Sequence, residues 1–241
     1  MSSSSGNLPI AVLAGGLATR LHPLVERVPK SLIPVAGKPF LERQFELLRN
    51  QGLTQIVLCV GHLGEVIRET IGDGSRYGLK VHYSADGVTP LGTGGALKRA
   101  LPLLGNVFFV MYGDSYLPID YAPVSDFFFR SGKLACMTVY LNDGRYDRSN
   151  VVFRAGEIKV FDKKQTFPEM RHIDYGLSIF RAQVFSTFPA DTRFDLSDVL
   201  QELVAKDQLA GYEVNQRFYE VGSHHGLAEL ESYLGNLEGK R

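Results

Sequence analysis

The tightest constraint on this chain is a unit that recurs along its first half: a short, continuous apolar run that stops at glycine or aspartate, followed by a helical pattern. PIAVLA (9–14) runs into Gly15 and Gly16, QIVLCVG (55–61) ends at Gly61, and NVFFVMYGD (106–114) ends at Asp114. Runs this short and this apolar read as strands covered on both faces, the condition of parallel strands in α/β proteins. FLERQFELLRNQG (40–52) repeats Phe and Leu at helical spacing and stops at Gly52, which predicts a helix with a glycine at its C-terminal end. EVIRETIG gives a short helical pattern after the second strand, KVHYS (80–84) alternates, and TGGALKRALPLL (93–104) predicts a helix before the third apolar run. The expected fold is therefore α/β: an open, mostly parallel sheet with helices on both faces. Right-handed crossovers place the C-terminal ends of such strands along one edge, where ligands bind. The glycine loop at 15–19, the turn after 61 and Asp114 share that edge.

From about residue 134 the pattern becomes strand-rich, in LACMTVYLN, NVVFRAGEIKVFDKK and HIDYGLSIF, and VVFR-AG-EIKVF predicts a hairpin. Helical patterns return at 195–206 and 226–237. No linker or internal repeat separates the halves, so the expectation is one domain over 8–237. Its nucleotide-binding half spans about 8–133 and its strand-rich half about 134–237, behind a flexible polar tail at 1–7. The 241 residues suffice for a buried core without staples. Basic and acidic residues balance at 26 each, so no overall field draws the chain to nucleic acid or an anionic membrane, and any phosphate affinity is local. No apolar run approaches the ~20 residues of a membrane span, and the N-terminus has no apolar leader region; the expected compartment is the cytoplasm. Cys59 and Cys136 lie in apolar strands, where a thiol behaves as a small buried hydrophobe.

The glycine turn opens LAGGLATRLHPL (13–24), and the known phosphate loops can be tested against it by spacing. A P-loop requires G-x-x-x-x-G-K-[ST]; Leu-Ala-Thr-Arg follows the pair here, and Gly37-Lys38 is followed by Pro39. A dinucleotide fingerprint requires G-x-G-x-x-G, yet no glycine follows Gly16 until Gly37. What remains is a turn whose peptide N–H groups can approach a phosphate closely, with Thr19, Arg20 and Lys30 around it. Arg20 offers a planar fork for phosphate oxygens and Lys30 a mobile point charge.

LAGGLATRLHPL together with VPKSLIPVAGKP (28–39) resembles the sugar-1-phosphate nucleotidyltransferases, and LGTGGAL, YGDS, FDKK, IDYGLSIF and FYEVGSHHGLAELESY continue the resemblance in the family's order. The chain looks most similar to the compact bacterial members that act on heptose- or mannose-type sugar phosphates, with a Rossmann-like sheet of the GT-A type and without the hexapeptide repeats of larger relatives. The resemblance implies a reaction of an NTP with a sugar 1-phosphate that yields an NDP-sugar and pyrophosphate, for polysaccharide precursors, with Mg²⁺ and with GTP favoured. It implies that Leu13, Ala14, Gly15, Gly16, Thr19, Gly92, Thr93 and Gly94 bind the nucleotide. Arg20, Lys30 and Asp114 would be catalytic, Asp114 and Glu220 would hold the metal, and Lys163, Asp174 and Gly176 would bind the sugar phosphate.

Three positions depart from the family pattern. Ala18 stands where glycine is usual, Glu220 stands where aspartate is usual, and FDKKQ offers both Lys163 and Lys164 for one lysine. Ala18 and Glu220 keep open an alternative, a non-catalytic relative that binds a nucleotide or sugar nucleotide. Arg20, Lys30 and Asp114 together oppose it. A glycosyltransferase with a D-x-D motif is disfavoured because GDS supplies one aspartate. His224-His225 carries no metal-ligand spacing and is expected to open the last helix.

Overall fold

The computed structural model describes residues 8–16 and 28–239. Strand β1 is Ile10–Leu13, and a small hairpin of β2 (Pro34–Val35) and β3 (Lys38–Pro39) precedes helix α1 (Phe40–Asn50). Then come β4 (Gln55–Val60), α2 (Gly64–Ile71), β5 (Lys80–Ala85), α3 (Gly92–Leu104), β6 (Val107–Tyr112), the short β7 (Ser115–Tyr116) and α4 (Ala122–Ser131). The second half holds β8 (Ala135–Leu141), β9 (Val151–Arg154), β10 (Glu157–Phe161), β11 (His172–Arg181), α5 (Leu196–Ala205), β12 (Leu209–Val214), β13 (Tyr219–Glu220) and α6 (His224–Glu238).

The main sheet joins the two halves. Strands β5, β4, β1 and β6 lie side by side and parallel, and β11 continues the sheet antiparallel to β6. On its other edge β11 pairs with β8, and β12 lies parallel to β8. The N-terminal half of β11 runs past the end of β6, and there the β9–β10 hairpin pairs with it at His172.

Period-two alternation along β1 explains why helices cover both faces. Ile10 and Val12 pack into one core with Leu41 and Phe45 of α1, Ile67 of α2 and Phe128 of α4. Ala11 faces the other, with Leu97 and Ala100 of α3 and Val199 and Leu200 of α5. A third cluster, with Val35, Phe40, Tyr116, Val221 and Leu230, fastens α6 over the β7–β13 pair and the small hairpin. Cys59 and Cys136 are free, buried thiols, and burial pushes both up to about 12. Among the described residues, no helix is long and apolar enough to cross a membrane.

Each helix and strand expected in the first half is present. The sheet is parallel there and turns mixed where the strand-rich half joins it. Two elements carry no clear sequence signal. Helix α4 (APVSDFFFRS) buries only Val124, Ser125 and Phe128, and its three consecutive phenylalanines blur the helical period. Strand β12 (LAGYEV) interrupts its apolar run with glycine and glutamate.

Candidate active site

A cavity of about 620 Å³ lies along the C-terminal ends of the parallel strands. Leu13, Ala14, Gly15 and Gly16 border it where β1 ends, with Gly61 and His62 from the end of β4 and Asp86–Val88 from the end of β5. Gly92 and Thr93 line it at the start of α3, and Tyr112–Asp114 line it where β6 ends. Backbone forms much of this wall because the loops crowd one another. A Cβ on Gly113 would stand 2.7 Å from the Leu13 carbonyl oxygen and 2.9 Å from Ala14 Cα, so only glycine lets the chain cross β1 on its way to Asp114. Ala18, Thr19 and Arg20 lie outside the described residues.

Gly94 points elsewhere. A Cβ there would stand 2.4 Å from the Phe194 ring, and the amides of Gly94 and Gly95 donate to the Phe194 carbonyl at 3.0 and 3.3 Å. Thr93 Oγ1 accepts a hydrogen bond from the Leu196 amide at 2.8 Å. The GTGG stretch therefore fastens residues 194–196 of the second half onto α3, and Asp195, the N-cap of α5, joins the cavity wall. Asp86 is a second acid on that wall. Its Oδ2 accepts the Leu91 amide at 3.0 Å, and partial burial pushes its carboxyl above the ordinary range although Leu91 and Arg99 work against this.

At the inner end of the cavity, Lys30 opens a single 3₁₀ turn over 30–32. Its Nζ lies 2.5 Å from Asp114 Oδ2, an ion pair partly shielded from water. β13 pairs with β7 so that Glu220 stands opposite Ser115, and the Val221 amide donates to the Asp114 carbonyl at 2.9 Å. Burial first, and then the Asp114 carboxylate, push Glu220 up to about 7. Two carboxylates on or next to paired strands, one of them bonded to a lysine, form a donor set suited to a hard divalent cation. No cluster of three or more His, Cys, Asp or Glu side chains occurs among the described residues. Mg²⁺ commonly takes one or two carboxylates and completes its shell with phosphate and water.

The strand-rich half places a second polar site beside Tyr112. Lys163 Nζ donates to the Tyr112 hydroxyl at 3.0 Å and lies 3.4 Å from Asp174 Oδ2. Burial opposes the ammonium charge, but Tyr112 and Asp174 together outweigh it and hold Lys163 above the usual lysine range. Asp174 lies almost wholly buried, its amide bonded to Asn150 Oδ1 at 2.9 Å and its Oδ1 to the Gly176 amide at 3.0 Å. Between Asp174 and Ser178 the register of β11 slips against β8, and Gly176, at φ +101°, turns the chain there. The structure brings Lys163 to this network. Lys164 is exposed, and its amide caps Asp162. His224 and His225 open α6, with Ser223 as its N-cap.

Sequence reasoning missed Tyr112, Asp86, Asn150 and Asp195. Asp86 carried a usable signal, an aspartate just past a strand end like Asp114. Tyr112 opens the YGDS motif, where sequence alone assigns it no role, and nothing local marks Asn150; their partners lie 51 and 24 residues away.

A cavity walled largely by backbone, with Lys30 and Asp114 in its lining, Glu220 on the strand paired beside Asp114 and Lys163 against Tyr112, suits a nucleoside polyphosphate meeting another phosphorylated molecule. That is the class of enzyme the fold and the site define. The comparisons narrow it: residues 10–236 match the nucleotidyl transferase family, and the chain belongs to that family. It is 31% identical over 212 residues to the D-glycero-alpha-D-manno-heptose 1-phosphate guanylyltransferase of Campylobacter jejuni, covering 88% of this chain and 93% of that one. The fold is shared with a Bacillus anthracis protein solved with sucrose (TM-score 0.83, 19% identity, 94% of each chain). It is shared also with HddC of Yersinia pseudotuberculosis solved with GMP-PN (TM-score 0.77, 24% identity, 94% of this chain and 99% of that one).

Proposed function

We propose that the chain transfers a guanylyl group from GTP to a sugar 1-phosphate, releasing pyrophosphate. A heptose- or mannose-type sugar is the favoured acceptor, and the product would serve polysaccharide synthesis in the cytoplasm. A phosphate oxygen of the sugar attacks the α-phosphorus, the bond from that phosphorus to the α,β-bridging oxygen of the triphosphate breaks, and the electron pair leaves on that oxygen with pyrophosphate. The nucleophile is already an anion, so no general base is needed. The barrier is the meeting of anions, which cations and peptide dipoles lower.

The observation that carries this reading is the Lys30–Asp114 pair with Glu220 beside it. Lys30 is assigned to the α-phosphate, where charge builds in the transition state, and Arg20 to the departing pyrophosphate. Asp114 and Glu220 would hold Mg²⁺, which when bound supplies positive charge shared by both phosphates. Leu13–Gly16, Thr19, Gly92 and Thr93 are assigned to the nucleotide. Lys163 would take the sugar phosphate, while Asp174 and Gly176 would receive the sugar ring. Gly94 is assigned a supporting role behind Gly92 and Thr93, since its amide already has a partner.

Guanine is favoured by the named function of the Campylobacter relative. It is favoured also by Asp86, a carboxylate on the cavity wall suited to accept from the N1–H and amino donors of that base. A non-catalytic nucleotide binder would have no use for the Lys30–Asp114–Glu220 grouping, and the relatives give that alternative no support. Pyrophosphate release measured in a grid of four NTPs against a panel of sugar 1-phosphates tests the reading. Turnover with GTP and a manno-configured sugar is expected. A blank grid from folded, nucleotide-binding protein would overturn it.

A further inference from the structure

Lys30 and Asp114 are 84 residues apart, and helix α1 grips the segments that carry both. Arg43 donates to the Val35 and Ala36 carbonyls at 3.3 and 2.6 Å, holding the hairpin that follows Lys30. The next residue, Gln44, is wholly buried, and its Nε2 donates to the Tyr112 and Ser115 carbonyls at 3.1 and 2.8 Å. Those two carbonyls bracket Gly113 and Asp114. The helical spacing surrounds Gln44 with core residues, Leu41, Phe45 and Leu48, and its own Oε1 is buried without a partner. Burying that oxygen unpaired costs free energy, which the two bonds made by Nε2 offset in part.

We infer that Gln44 is a positioning residue for Asp114: its two hydrogen bonds hold the β6–β7 turn so that the carboxylate meets Lys30 and Glu220. The inference rests on the proposed role of Asp114. Gln51, at the end of the same helix, provides an internal control. Its side chain bridges the Ile119 carbonyl and the Tyr121 amide, both at 3.0 Å, and so braces a turn with no part in the site.

The test compares Gln44→Met with Gln51→Met in the full chain. Amide hydrogen exchange is followed on metal-free protein, and kcat, KM for GTP and the Mg²⁺ concentration for half-maximal rate are measured on the loaded enzyme. In Gln44→Met, exchange at 113–116 is expected to rise about tenfold or more. Its kcat is expected to fall roughly 10–100-fold with KM for GTP near wild type, since a misplacement near 1 Å costs about 100-fold, and its Mg²⁺ requirement should rise. In Gln51→Met, faster exchange is confined to 119–121, with kcat and Mg²⁺ requirement unchanged.

Equal effects of the two variants, or an unchanged kcat and Mg²⁺ requirement in folded Gln44→Met, overturn the proposal. If Gln44→Met does not fold, Gln44→Glu has the same shape with at most one donor; wild-type kcat and wild-type exchange at 113–116 in that protein overturn it as well. Asp114→Asn separates the two levels of inference. An active Asp114→Asn enzyme defeats the reading of the site, whereas an inactive one beside an unaffected Gln44→Met defeats only the positioning role.

Discussion

The two halves of the site are built from different materials. On the side proposed for the nucleotide, glycine-rich loops at the ends of β1 and β4 and the start of α3 bring peptide groups to the cavity wall. On the side proposed for the sugar, side chains from four separate segments converge: Tyr112, Asn150, Lys163 and Asp174 hold one another in a half-buried network. A peptide-built wall is fixed by the fold and suits the part of the substrate that is the same in every NTP. A side-chain network can be altered one residue at a time, which suits the part that distinguishes one sugar from another.

The largest effect is expected where the two halves meet. Asp114→Asn or Lys30→Ala should each lower kcat by about 10²–10³ with the fold intact; near-normal turnover in folded protein would remove that residue from the chemistry. Next comes the sugar network. Lys163→Met should lower kcat/KM for the sugar phosphate by roughly 100-fold and leave KM for GTP alone, and Lys164→Met should change neither. If Lys164→Met gave the larger loss, the assignment of the two lysines would reverse.

On the peptide-built side, Gly94→Ala should act on stability. The added methyl meets Phe194 and should cost about 1–3 kcal/mol, read as a lowered midpoint of denaturant unfolding. A variant as stable as wild type would show that the 194–196 segment yields easily. The last effect concerns pH. Glu220 sits at about 7 against an ordinary 4.5, so the folded, metal-free protein binds an extra proton between those values. Its stability should be greatest below that window and fall as pH rises through 7. A melting scan should show a drop of about 5–10 °C from pH 5 to 8, flattened in Glu220→Gln. An unchanged slope in that variant would show that another group titrates in this window.

Most of the first half was legible because its signals are local. An apolar run ending in glycine declares both a buried strand and the loop at its tip, and Asp114 is conspicuous as an acid closing the most apolar run. The Glu220 position was readable from YEVGS, but its proximity to Asp114 depends on the pairing of two-residue strands more than a hundred residues apart. The packing of Gly94 was hidden for the same reason, since the Phe194 ring it accommodates lies a hundred residues downstream. Helix α4 escaped notice because only a narrow stripe of it is buried.

The attachment of residues 194–196 to α3 also bears on how the chain reaches its native form. The cavity wall stays unfinished until Asp195 has left the ribosome, and β6 waits for β11 to cover its open side. A nascent first half would present an uncovered sheet edge and an incomplete pocket, a state prone to association. Fragments cut near residue 133 should therefore regain activity only on recombination.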